Sequence, residues 1–105
     1  MRKEYDKLVR DRIPEIIEAD GKNYQVHQVD LSELKEYAFK KLREEIEEFI
    51  ENPCALEAAD VMEIMNFICY RMGIREQAIL AEATAKRVRN GGFEMGFILE
   101  WVDDS

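Results

Sequence analysis

Redox, thiol and zinc chemistry have little to work with in this chain. It carries one histidine, His27, and two cysteines, Cys54 and Cys69. None stands at metal-ligand spacing from another, and two cysteines make no disulfide framework. Both are expected to be ordinary packed thiols, and His27 a structural or exposed residue. No apolar run approaches the roughly 18 residues expected of a membrane-crossing helix. The charged start Met1-Arg2-Lys3-Glu4-Tyr5-Asp6 lacks the apolar core of a signal peptide, so the expectation is a soluble, cytoplasmic protein with no membrane partner. Basic residues are outnumbered, 15 Lys and Arg against 23 Asp and Glu, for a formal charge of −8. That balance argues against a general nucleic-acid binder. It does not exclude a nucleotide substrate, because magnesium can neutralise carboxylates and phosphates together. Repeats, low-complexity stretches and linkers are missing too, and 105 residues suit one domain.

What is present is mostly helical punctuation. Residues 13–19 read as a short helix with Pro14 in its first turn and Asp20-Gly21 closing it. Asp30-Leu31-Ser32-Glu33 has the form of a capping box. It starts a helix over 31–51 with Leu34, Ala38, Leu42, Ile46 and Phe49 on one stripe. Asn52-Pro53 stops that helix and begins the next, with Asn52 as N-cap and Pro53 at the first helical position. The next runs to about Met72, with Gly73 as its left-handed cap. A fourth covers Arg75 to about Asn90 and ends at Gly91-Gly92. Residues 24–29 alternate and fit a short strand that the 93–102 tail could pair with. The predicted fold is mainly α, an antiparallel bundle of about four helices with a small two-stranded appendage. The short Asn52-Pro53 connection makes its two long helices an antiparallel hairpin.

Most acidic residues of the first long helix lie opposite its apolar stripe, as solvated charge should. Glu45 does not: at about 100° per residue it falls inside the apolar arc, and Glu48 lies at its edge three residues on. The following helix is apolar nearly all round, through Ala58, Ala59, Val61, Met62, Ile64, Met65, Phe67, Ile68 and Cys69, which predicts a central, buried helix. Glu57 and Asp60 interrupt it, again three apart. An ionised carboxylate removed from water costs several kcal/mol unless paired or coordinated. Two remedies compete. Lys or Arg could neutralise the acids, Lys41 being one turn from Glu45, or a hard cation could, oxygen-only ligands pointing to magnesium or manganese.

Those same residues carry a resemblance. Glu44-Glu45-Ile46-Glu47-Glu48 followed by Glu57-Ala58-Ala59-Asp60 resembles the EExxE…ExxD pattern of the MazG-like all-α nucleotide pyrophosphohydrolases. That superfamily also takes in phosphoribosyl-ATP pyrophosphohydrolases and dimeric dUTPases. The opening Tyr5 to Glu15, with Lys7-Leu8-Val9-Arg10-Asp11-Arg12-Ile13-Pro14, is similar to that of a small house-cleaning subgroup. Lys86-Arg87-Val88-Arg89-Asn90-Gly91-Gly92-Phe93 resembles its ending. The resemblance implies a helical core, a homodimer or higher oligomer, and magnesium-dependent cleavage of a nucleoside triphosphate between the α and β phosphates. Glu45, Glu48, Glu57 and Asp60 would be the magnesium ligands, with manganese an alternative ion, and Glu44 a water-orienting acid beside Glu45. Lys86 and Arg89, three apart on the last helix, are candidate phosphate ligands, with Lys7, Arg10 and Arg12 as further ones.

Phosphoribosyl-ATP hydrolysis is an alternative that the same metal site could serve. A rival of another class is a non-catalytic helical oligomer whose acids are salt-bridged, recognisable by inward Arg or Lys on Glu45 and Asp60. A chain this short with a helix apolar on all sides also predicts a homodimer that covers the remaining apolar face.

Overall fold

The computed structural model describes residues 2–103, which fall into two compact units, the first ending at Met72 and the second beginning at Gly73. Four helices are present among them: α1 (Ile13–Ala19), α2 (Leu31–Glu51), α3 (Ala55–Arg71) and α4 (Glu76–Asn90). The protein is mainly α, as predicted. Among the described residues no helix is long and apolar enough to cross a membrane.

In the first unit, α2 begins where the capping pattern places it. Asp30 is extended, and its carboxylate accepts from the Glu33 N–H at 3.0 Å and from the Ser32 hydroxyl at 2.9 Å. The first of these bonds satisfies one of the four N–H groups that a helix start leaves without a partner. The helix runs 21 residues to Glu51.

The joint between α2 and α3 differs from expectation. Asn52 is the C-cap of α2, its N–H still donating to the Glu48 carbonyl, and the N-cap of α3 is Cys54. Pro53 therefore lies outside both helices. A residue before proline is driven from helical geometry, and Asn52 sits at φ −142°, ψ 78°. Cys54 is extended as well, so α3 starts at Ala55.

The hairpin is antiparallel. Ala38, early in α2, packs with Ile64 and Ile68, late in α3, in a core that Leu8, Phe39, Leu42 and Phe67 partly cover. Cys69 is buried with them, whereas Cys54 is half-buried and His27 exposed. The core is small, and the rest of the predicted stripe stays open, with Ile46 40% and Phe49 36% exposed. Nor is α3 enclosed: Ile64, Ile68 and Cys69 are buried, but Leu56, Met62, Met65 and Tyr70 face outward. The expected central helix has one covered side, because within this unit only α2 makes a broad packing surface for it.

Leu8 brings the segment before α1 onto this hairpin. The Tyr37 hydroxyl donates to Asp6 at 2.7 Å and holds the same segment.

In the second unit, α4 has no buried residue and no side-chain cap at its start. It ends at Gly91, whose φ of +83° is a conformation that glycine adopts without strain. A side chain at Gly92 would meet the carboxylate of Glu94 and the guanidinium of Arg87, groups that pair at 2.7 Å.

No strand forms among the described residues, neither over 24–29 nor over 93–102. Alternation shows which side chains share a face but supplies no partner, and a lone two-stranded ribbon is marginal in water.

Candidate metal centre

Glu45 is placed by the same stripe that builds the core. It lies seven residues, two helical turns, beyond Ala38, so both point at α3. On α3, Glu57 and Asp60 precede Ile64 by seven and four residues and share its face. Closing the hairpin therefore brings three acids together: one oxygen from each of Glu45, Glu57 and Asp60 lies within 4.8 Å of the other two. Glu45 is the deepest, only 6% exposed, while Glu57 and Asp60 are half-buried.

Cations reach this cluster from two directions. Lys41 Nζ stands 3.1 Å from Glu45 Oε1 and 3.4 Å from Glu44 Oε1. From the segment before α1, Arg10 donates to Asp60 Oδ1 at 2.8 Å and Lys7 to Glu44 Oε1 at 3.2 Å. These are the inward cations that a salt-bridged cluster calls for, and Lys41 is the partner the sequence suggests. They do not complete the site. Oε2 of Glu45 and Oε2 of Glu57 are buried with no hydrogen-bond partner among the described residues.

The charges do not cancel either. Five carboxylates, Glu44, Glu45, Glu48, Glu57 and Asp60, meet three cations, Lys7, Arg10 and Lys41. Neighbouring carboxylates repel, and a buried oxygen with no partner carries the full cost of lost hydration. Carboxylate oxygens alone suit a hard ion such as magnesium or manganese. The residues present therefore fit that group.

Glu48 stands apart from the other predicted ligands. It is exposed and outside the converging trio. It still belongs to the same field: the charge of Glu45 first, then desolvation and the charges of Glu57 and Glu44, raise its pKa. Lys41 shows the reverse balance. Burial works to discharge it, but the bond to Glu45 and the charges of Glu44 and Glu45 prevail and raise its pKa. At Glu44, desolvation works upward but is outweighed by Lys7 and Lys41, which lower the pKa and keep the carboxylate ionised.

The remaining predicted residues fall elsewhere. Arg12 is exposed and donates to Glu15 at 2.5 Å. Lys86 and Arg89 are exposed on α4, in the second unit.

Sequence reasoning placed Lys7 and Arg10 among phosphate ligands but missed that both hold carboxylates of the site. It also missed Tyr37, whose bond to Asp6 secures the segment carrying them. Periodicity could not reveal these contacts, which join residues 37, 50 and 31 positions apart.

No family model matches this chain, and neither the curated proteins nor the solved structures contain a significant match.

Proposed function

We propose that the protein is a cytoplasmic, magnesium-dependent nucleoside triphosphate pyrophosphohydrolase of the MazG-like kind, releasing a nucleoside monophosphate and pyrophosphate. The observation that supports it most is the convergence of Glu45, Glu57 and Asp60, two of which carry a buried, unpartnered carboxylate oxygen. Those three residues, with Glu48 at the edge, would hold magnesium or manganese. Bound there, the ion would supply charge neutralisation for the triphosphate and an acidified water.

The chain's own side chains have separate tasks in this reading. Glu44, kept ionised by Lys7 and Lys41, would orient the attacking water by accepting its hydrogen bond. Lys7 and Arg10, already at the cluster, would meet phosphate charge; Arg12, Lys86 and Arg89 are assigned the same task on the resemblance alone. The apolar side chains left open on the hairpin, among them Ile50 (69% exposed), Leu56 (71%) and Met62 (64%), we assign to a second copy of the chain. Sedimentation velocity should give a dimer, and a monomer at micromolar concentration would remove that assignment.

The test of the activity is a panel of nucleoside triphosphates with magnesium present or chelated, scored for pyrophosphate against orthophosphate. Pyrophosphate released only with magnesium is expected, and orthophosphate as first product rejects cleavage between the α and β phosphates. The Lys41–Glu45 and Arg10–Asp60 pairs favour one other reading, a non-catalytic helical module whose acids are salt-bridged. Under that reading no nucleotide is turned over, and magnesium leaves the melting temperature unchanged, whereas a ligand bound only by the folded state must raise it.

A further inference from the structure

The segment before α1 is fastened on both sides of Arg10. Leu8 is packed on the core, Asp6 is held by the Tyr37 hydroxyl, and the Arg10 carbonyl accepts from the Ile13 N–H at 3.1 Å. The backbone at Arg10 is thus tethered, while its long side chain stays 56% exposed. Its guanidinium sits on Asp60 Oδ1 at 2.8 Å, on one of the three converging acids. Lys41 differs, with a side chain only 18% exposed between Glu44 and Glu45.

From this contrast we propose that Arg10 is the resident counter-ion of the carboxylate trio and exchanges Asp60 for a phosphate group when a divalent cation enters. The proposal rests on the metal-centre reading above and adds how that site is filled. A cation that draws on Asp60 competes with the guanidinium for the same carboxylate. The arginine side of the pair is 56% exposed and Asp60 32%, and ion pairs that water reaches are weak, so it yields readily. The released guanidinium stays tethered beside the cluster, and its planar fork of donors matches phosphate geometry. Cation and phosphate therefore bind cooperatively: alone, each meets an Arg10 engaged with Asp60, and together they separate the pair. Such coupling is reciprocal by linkage.

The experiment measures manganese binding to the full chain by electron paramagnetic resonance, with and without imidodiphosphate as a non-hydrolysable phosphate probe. In the unaltered protein, imidodiphosphate should tighten manganese binding by about tenfold, within the range usual for coupled sites. In Arg10→Gln, manganese alone should bind about threefold or more tighter, because its competitor is gone, and the tightening by imidodiphosphate should shrink to about a third of the original factor. Lys3→Gln removes the same charge from the same segment, at a residue that stands over the Tyr5 ring, and should leave the affinity for manganese alone within about twofold. Helical circular dichroism confirms that the variants remain folded.

An Arg10→Gln protein that binds manganese no more tightly than the unaltered chain overturns the proposal, as does an undiminished response to imidodiphosphate. Equal tightening in Lys3→Gln also overturns it, by reducing the effect to net charge. An unaltered chain that binds no manganese removes the metal centre itself, which separates that failure from the others.

Discussion

The two units of this chain are helical for different reasons. In the first, α2 and α3 bury facing stripes, and the core of Ala38, Ile64 and Ile68 fixes how the hairpin closes. In the second, α4 has 15 residues and none of them is buried. Its composition, rich in Ala, Glu, Gln, Lys and Arg, is favourable to helix on intrinsic propensity alone. Helices of about 12–15 residues are marginal in water without tertiary support, and the residues after α4 offer Phe93, Phe97, Ile98 and Leu99 exposed by 80% or more. A unit with a core can hold buried charge in a fixed geometry; a unit with exposed side chains can carry only solvated charge. Glu45 belongs to the first kind, Lys86 and Arg89 to the second.

The largest expected contrast between the units is catalytic. On the proposed metal-centre reading, Glu45→Gln keeps the shape of the side chain and removes the charge that would bind the ion, so turnover should fall by more than the roughly 10–100-fold typical of residues that only support a ligand. The fold should survive, since the change also removes a buried charge with an unpartnered oxygen. Lys86→Ala and Arg89→Ala should instead raise the Michaelis constant by about tenfold, the value of one charge-assisted hydrogen bond, with turnover little altered. Steady-state kinetics on the substrate found in the nucleotide panel decides. Retained turnover in Glu45→Gln removes it from the ligand set, and an unchanged Michaelis constant in both α4 variants ends their phosphate role.

What could be read from the sequence follows the same division. The bounds of α2 were legible because Asp30 and Glu33 carry a local capping signal that the structure uses. The convergence of Glu45 with Glu57 and Asp60 was legible because helical spacing projects each residue onto a face before any tertiary contact is known. Glu48 shows where projection stops. It lies three residues from Glu45, yet at the exposed edge of the hairpin, and the position of that edge depends on how α3 lies on α2. Cys54 took the N-cap role expected of Asn52, because a proline near a helix start does not specify which neighbour caps it. The docking of Arg10 on Asp60 was out of reach, since nothing in either local sequence names a partner 50 residues away. The 24–29 alternation, too, specified a face but no strand to pair with.

Stability gives the smaller contrast between the two units. Ile64 is 8% exposed in the core of the hairpin, whereas Val88 on α4 is 83% exposed. Ile64→Ala removes buried methyl groups and leaves space that the short core fills only in part. A cost of about 2–4 kcal/mol is expected in urea unfolding, toward the low end for such changes because the buried cluster is small. Val88→Ala removes apolar atoms that water already reaches and replaces a β-branched residue with the best helix former, so it should shift stability by no more than about 0.5 kcal/mol. Both measurements belong at one protein concentration, because assembly would add to apparent stability. A cost at Val88 approaching that at Ile64 would mean that α4 is covered when the protein is folded in solution. The second unit would then owe its helix to packing, and the division between a packed unit and a locally stabilised one would fail.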